Sequence, residues 1–211
     1  MKAFLVMGRS LKALYDELFL WVWLSVLWWV GTVLIIPAAP VMLGLHMAAN
    51  RVANYKRVDS GFFYESARRY IGRGWLLYAL NLLMLVGVLF NIYFYLNSTA
   101  AWAQIVGIIW IWVLLLLLMA SQYFFPLFWQ QDQPTIGMIL RNAFLLSIRY
   151  PLYTFLMLIF QILLLVISLV TVLPIFLLMP AAIVVTANFS LVGALQEMGL
   201  APQPPEVDRR S

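Results

Sequence analysis

The chain has no cysteine, which excludes disulfides, thiolate metal sites and thiol nucleophiles. It has one histidine, His46, and a lone histidine makes no zinc centre, because tetrahedral zinc needs three or four protein ligands. Charge is scarce as well. Asp, Glu, Lys and Arg make up 10% of the residues, against roughly 25% in soluble domains. None of the four occurs from Leu18 to Asn50, from Gly74 to Gln131, or from Tyr150 to Gln196. No G-x-S-x-G elbow and no phosphate-cradling glycine loop is present. The carboxylates Asp16, Glu17, Asp59, Glu65, Asp132 and Glu197 border the apolar blocks and form no spaced pair within one. These absences argue against an enzyme and imply no cofactor and no metal. The 13 basic residues, against 8 acidic, flank apolar blocks instead of forming a basic module, which excludes a nucleic-acid partner.

What remains is 65% hydrophobic, more apolar surface than a soluble chain of this size can cover. The predicted class is an all-α integral membrane protein, with the lipid bilayer as its first partner. The three charge-free blocks are about 33, 58 and 47 residues long, and a span needs about 20. Each block is therefore long enough to cross and return. Met1–Glu17 precedes them as an amphipathic segment for the membrane interface, with Phe4, Leu5, Leu11, Leu14 and Tyr15 at helical spacing. Leu18–Ile36 reads as a retained span and not as a cleaved signal peptide, since Pro40 would stand at the first mature position.

The segment Val41–Tyr55 decides the topology, since it is short and carries His46, Asn50 and Arg51. If it crosses, there are six transmembrane helices in three hairpins, and the turns at Pro37–Pro40, Leu96–Ala101 and Leu173–Pro174 carry no Lys or Arg. If it does not, there are five, and Lys2, Arg9 and Lys12 move outside. The positive-inside rule favours six, with both termini on the cytoplasmic side of a bacterial cytoplasmic membrane. Residues 1–196 then make one helical membrane domain and residues 197–211, with three prolines and mixed charge, a disordered cytoplasmic tail. An amphipathic stretch precedes each hairpin, a rhythm that any chain of hairpins can show.

Within the spans the polar groups are amides and hydroxyls. His46, Asn81, Gln161, Thr186 and Asn188 either line a solute pathway or join helices by hydrogen bonds. His46 is either a proton relay or a neutral imidazole bonded to a neighbouring helix, and no span offers it an Asp or Glu. Ala182, Thr186, Ser190 and Ala194 recur every four residues, and Gly44 with Ala48 does the same near Ala49 and Ala53. Such smooth stripes let helix backbones approach closely, within the chain or between copies. The connector residues Arg51, Lys56, Arg57, Arg68, Arg69 and Arg73 suit anionic lipid or an acidic partner, or serve orientation alone.

Four segments resemble one family. These are Thr32-Val33-Leu34-Ile35-Ile36-Pro37-Ala38, Phe62-Phe63, Tyr123-Phe124-Phe125-Pro126-Leu127 and Arg141-Asn142-Ala143-Phe144-Leu145-Leu146-Ser147. Together they resemble the bacterial YesL-like (DUF624) membrane proteins over nearly the whole chain, with Arg141 where the family more often has Lys. The resemblance implies an accessory or assembly component associated with a carbohydrate-uptake system, beside the permease subunits of an ABC-type importer. The alternative is a self-sufficient small-solute transporter or channel, which requires the intramembrane amides and His46 to converge on a cavity.

Overall fold

The computed structural model describes residues 2–204, and every regular element among them is helical. In chain order the helices are α1 (Lys2–Asp16), α2 (Leu18–Val33), α3 (Ala38–Ala53), α4 (Ser60–Arg69), α5 (Ile71–Leu96), α6 (Ala101–Ser121), α7 (Phe124–Gln130), α8 (Ile136–Arg149), α9 (Pro151–Thr171), α10 (Leu173–Leu177) and α11 (Met179–Glu197). Residues 205–211, part of the expected tail, lie outside the described residues. The portion before them folds back: Gln196 Nε2 donates to the Pro202 carbonyl and Gln203 Nε2 to that of Gln196.

Sidedness of charge predicts six crossings, and the helix lengths give fewer. Among the described residues four helices are long and apolar enough to cross a membrane: Ile71–Leu96, Ala101–Gln130 (α6 and α7 together), Pro151–Thr171 and Met179–Glu197. A fifth is reached if α1 and α2, bent by 89° at Glu17, count as one. The helix covering most of Val41–Tyr55, α3, is not among them. It has 16 residues and spends its interior on Ala, Gly, His and Asn where a lipid-facing span would carry bulky apolar side chains.

Those small residues place α3 at the centre with α11. Ala39, Leu43, Leu45, Ala48, Ala49 and Ala53 are fully buried, as are Ala181, Val185, Thr186, Asn188, Ser190 and Leu191 of α11. Both stripes are therefore occupied by packing within the chain. At Gly44 a Cβ would stand 2.8 Å from the Phe63 carbonyl oxygen and as close to its ring, so α4 approaches α3 only because that position is glycine. Phe63 is itself buried, which gives one half of the Phe62-Phe63 motif a packing role.

Each hairpin is preceded by an amphipathic helix: α1, α4 and α8. In α1, Ala3, Val6, Ser10 and Leu14 form a buried stripe at spacings of three and four. Phe4, Leu5, Leu11 and Tyr15 remain exposed on its other side, an apolar surface suited to the lipid interface. In α8 the buried stripe is Ile139, Ala143, Leu146 and Ser147, and Thr135 caps the helix by accepting from the Met138 amide.

The α5–α6 hairpin differs in kind. Leu82, Leu83, Val86, Phe90, Tyr93 and Phe94 of α5 are exposed, and so are Trp102, Ile105, Ile108, Ile109 and Trp112 of α6. Its turn is polar, with Asn97 Nδ2 donating to the Tyr93 carbonyl. The turns ending α2 and α9 are apolar and contain Ile35 and Val172 at φ 61 and 59. That left-handed region is costly for β-branched residues.

Candidate solute cavity and basic cleft

The α3–α11 contact brings His46 and Asn188 together. Asn188 Nδ2 lies 3.0 Å from His46 Nδ1 and 2.8 Å from the Val184 carbonyl. With one hydrogen of Nδ2 given to each, Nδ1 acts as acceptor, and the imidazole is the neutral tautomer carrying its proton on Nε2. Phe125 of α7 stacks on the ring with centroids 5.1 Å apart. No carboxylate among the described residues bonds to it, so the arrangement is that of an imidazole tied to a neighbouring helix. His46 Nε2 has no partner among the described residues.

His46 lines a cavity of about 190 Å³, bounded by α3, α5, α6, α7, α9 and α11. Asn81, Ser121, Gln122 and Gln161 supply its other polar groups, and Met42, Leu118 and Phe125 are among its apolar ones. Three of the five residues singled out in the sequence, His46, Asn81 and Gln161, thus meet at one place. Asn188 holds His46 from behind the wall. Thr186 is buried on α11 without lining the cavity, and its Oγ1 has no hydrogen-bond partner among the described residues; nor has Asn188 Oδ1.

A relay of amides and hydroxyls fixes the cavity wall. Gln161 Nε2 donates to Gln122 Oε1 at 2.9 Å. Gln122 Nε2 donates to the carbonyls of Met119 and Thr154. Beside it, the Tyr123 hydroxyl lies 3.1 Å from both Thr154 Oγ1 and Ser190 Oγ, and Tyr153 donates to the Ser190 carbonyl. This leaves Gln161 Oε1 and the whole Asn81 amide free of partners among the described residues. The cavity therefore offers donors (His46 Nε2 and the Asn81 NH₂) and acceptors (the Gln161 and Asn81 carbonyls), and no formal charge. Gln122 is one of the intramembrane amides that the sequence offers for a solute path, whereas Tyr123 and Thr154 carry no such mark. Two glutamines inside apolar helices, Gln122 and Gln161, were the available signal.

The basic connector does not act as one unit. Arg51 is held internally, its Nε donating to the Arg57 carbonyl and its guanidinium 3.6 Å from the centre of the Phe62 ring. Arg68 and Arg69 are exposed on α4, and Arg73 is exposed on the first turn of α5. Lys56 and Arg57 instead join Arg9 and Lys12 of α1 around a cleft of about 450 Å³, which Asp16 and Glu17 also line. In the sequence Arg9 and Lys12 bear on the sidedness of charge and on the amphipathic character of Met1–Glu17, not on a site. Their role here follows from α1 packing on the core, which charge patterning alone does not reveal.

A second polar cluster locks α7 to α3. Asn50 and Asn54 both donate to Gln130 Oε1 at 3.0 Å, and Trp129 donates to the Leu43 carbonyl. Compared with protein-family models, curated proteins and solved structures, the chain has no match in any of the three.

Proposed function

We propose that the chain is a non-enzymatic, multi-pass protein of the bacterial cytoplasmic membrane that takes a small, uncharged, polar solute into the cavity between α3, α5, α6, α7, α9 and α11. The observation that carries this reading is the convergence of His46, Asn81, Gln122 and Gln161 on one pocket between the helices. A wall of unpaired amide and imidazole groups at membrane depth is costly unless something fills their hydrogen bonds. Size narrows the class: a cavity of about 150 Å³ holds a benzene-sized molecule, so about 190 Å³ suits six or so non-hydrogen atoms. Glycerol, urea and acetamide are of that scale, and an oligosaccharide is not. The distribution of Lys and Arg supports hairpins entering from one side, with both termini facing the cytoplasm. Six crossings satisfy that sidedness, and so does a first hairpin that turns back early.

A second reading is the accessory or assembly role implied by the YesL-like resemblance, beside an ABC-type carbohydrate importer. The observation favouring it is the cleft lined by Arg9, Lys12, Lys56 and Arg57, a surface suited to an acidic segment of a permease subunit. Flux separates the two. Purified protein alone in liposomes should pass glycerol, urea or acetamide faster than empty liposomes, and Gln161→Leu should remove the excess. No excess flux from wild type, together with recovery of permease subunits in a mild-detergent purification, would replace the first reading by the second.

A further inference from the structure

We infer that the basic cleft between α1 and the α3–α4 connector is a binding site for the phosphoglycerol headgroup of an anionic phospholipid. The inference rests on the membrane placement proposed above and not on the solute cavity. Charge is the first argument. Arg9, Lys12, Lys56 and Arg57 line the cleft together with Asp16 and Glu17, four cations against two carboxylates. None of the four cations makes a hydrogen bond or ion pair through its side chain among the described residues. Arg51, by contrast, is held by the Arg57 carbonyl and the Phe62 ring. A phosphodiester accepts charge-assisted hydrogen bonds from ammonium and guanidinium groups, and the hydroxyls of a glycerol headgroup can donate to Asp16 and Glu17. A zwitterionic headgroup brings no net charge to offset the excess of cations.

Position is the second. Three sets of side chains divide α1: the buried Ala3, Val6, Ser10 and Leu14, the exposed Phe4, Leu11 and Tyr15, and the charged Arg9, Lys12 and Asp16. At about 100° per residue, the centres of the three sets lie roughly 120° apart around the helix. One side meets the core, one suits lipid and one suits water, which sets α1 at the boundary where headgroups lie. Leu5 also falls on the charged side, a turn before Arg9, and does not line the cleft.

Shape is the third. Ala13, Val52, Val58 and Phe189 give the cleft apolar lining beneath its charges. A phospholipid offers a charged head and an apolar body to such a surface, whereas an acidic peptide segment needs the charges alone. On a scale where about 150 Å³ holds benzene, the headgroup's ten or so non-hydrogen atoms need about 250 Å³. The cleft has about 450 Å³, which leaves room for the lipid's glycerol backbone.

The test counts lipid adducts on the purified full chain by native mass spectrometry from a neutral detergent. Phosphatidylglycerol, phosphatidylethanolamine and phosphatidylcholine are added separately at equal concentration. Wild type should hold phosphatidylglycerol at least about fivefold more than either of the others. Lys12→Gln with Arg57→Gln should weaken that binding by about tenfold or more, at the strength expected of cations near an anionic headgroup. Arg9→Gln with Lys56→Gln should do the same, and serves if the first pair misfolds. Arg68→Gln with Arg69→Gln removes the same charge from exposed α4 positions that do not line the cleft. Out of contact and screened by salt, that pair should stay within about twofold of wild type. No preference for phosphatidylglycerol, or equal loss from the α4 pair and the cleft pairs, would overturn the inference. Displacement of the lipid by glycerol 3-phosphate at equal concentration would also overturn it, in favour of a soluble phosphate. Cleft-dependent binding of an acidic peptide, with none of phosphatidylglycerol, would assign the cleft to the permease segment of the second reading. Failure of the membrane placement shows differently, as a chain that stays soluble without detergent.

Discussion

Helices α6 and α11 are both charge-free over most of their length and both apolar enough to cross a membrane, yet one faces outward and the other is the core. The difference is side-chain size. Trp102, Ile105, Ile108, Ile109 and Trp112 cover α6 with bulk, whereas Ala181, Ala182, Ala187, Ser190 and Ala194 keep α11 thin. Lipid tails are as apolar as leucine, so apolarity gives no reason for a helix to leave them. Close backbone approach does, and only thin helices allow it. Inside this protein, hydropathy tells which helices tolerate lipid, and residue size tells which avoid it.

The comparison is broken most forcefully by thickening the core. Gly44→Leu forces side-chain atoms against the Phe63 backbone, and overpacking of this kind costs about 1–3 kcal/mol. The variant should elute as aggregate, or lose most of its folded yield in detergent. The same change on the outward hairpin, Gly87→Leu, meets nothing within 4 Å and should elute as wild type. Equal behaviour of the two would end the argument from size.

Polar groups sharpen the contrast at a smaller scale. Gln122→Leu removes bonds to Met119, Thr154 and Gln161. Interhelical hydrogen bonds in membranes average about 0.6 kcal/mol and reach about 1.7, so a loss of about 1–2 kcal/mol is expected, read as a lowered thermal midpoint of the purified protein. Asn91→Leu on α5 removes one bond to its own helix, at the Gly87 carbonyl, and should leave the midpoint nearly unchanged. The smallest effect concerns the indoles. Trp75→Phe strips the Ile36 carbonyl of its donor and should lower stability by about 1 kcal/mol. Trp112→Phe, at an exposed position with no hydrogen bond among the described residues, should stay within about 0.5 kcal/mol. Steady-state unfolding in mixed micelles measures both.

Much of this architecture is legible in the chain. The charge-free blocks locate the hairpins, the 3.6-residue spacing locates α1 and α8, and the small-residue stripes point to α3 and α11. The amides were legible only as a set. Their meeting depends on how α7, which follows α6 after a two-residue break at Gln122–Tyr123, packs on α3 and brings Phe125 to His46. Sidedness of charge predicted that Val41–Tyr55 crosses, because a hairpin that crosses and one that turns back leave the same charges on the same side. No periodicity within either segment encodes the contact between Trp75 and Ile36, 39 residues apart in the chain.

The central claim is that the amide-lined cavity admits small neutral polar molecules, and a thiol placed in its wall tests it most directly. Ser121 lines the cavity and is half-buried. Ser121→Cys in liposomes should react with the small neutral reagent hydroxyethyl methanethiosulfonate, and that reaction should abolish the excess solute flux. A thiol that stays unreacted, or reacts and leaves flux unchanged, would contradict the account.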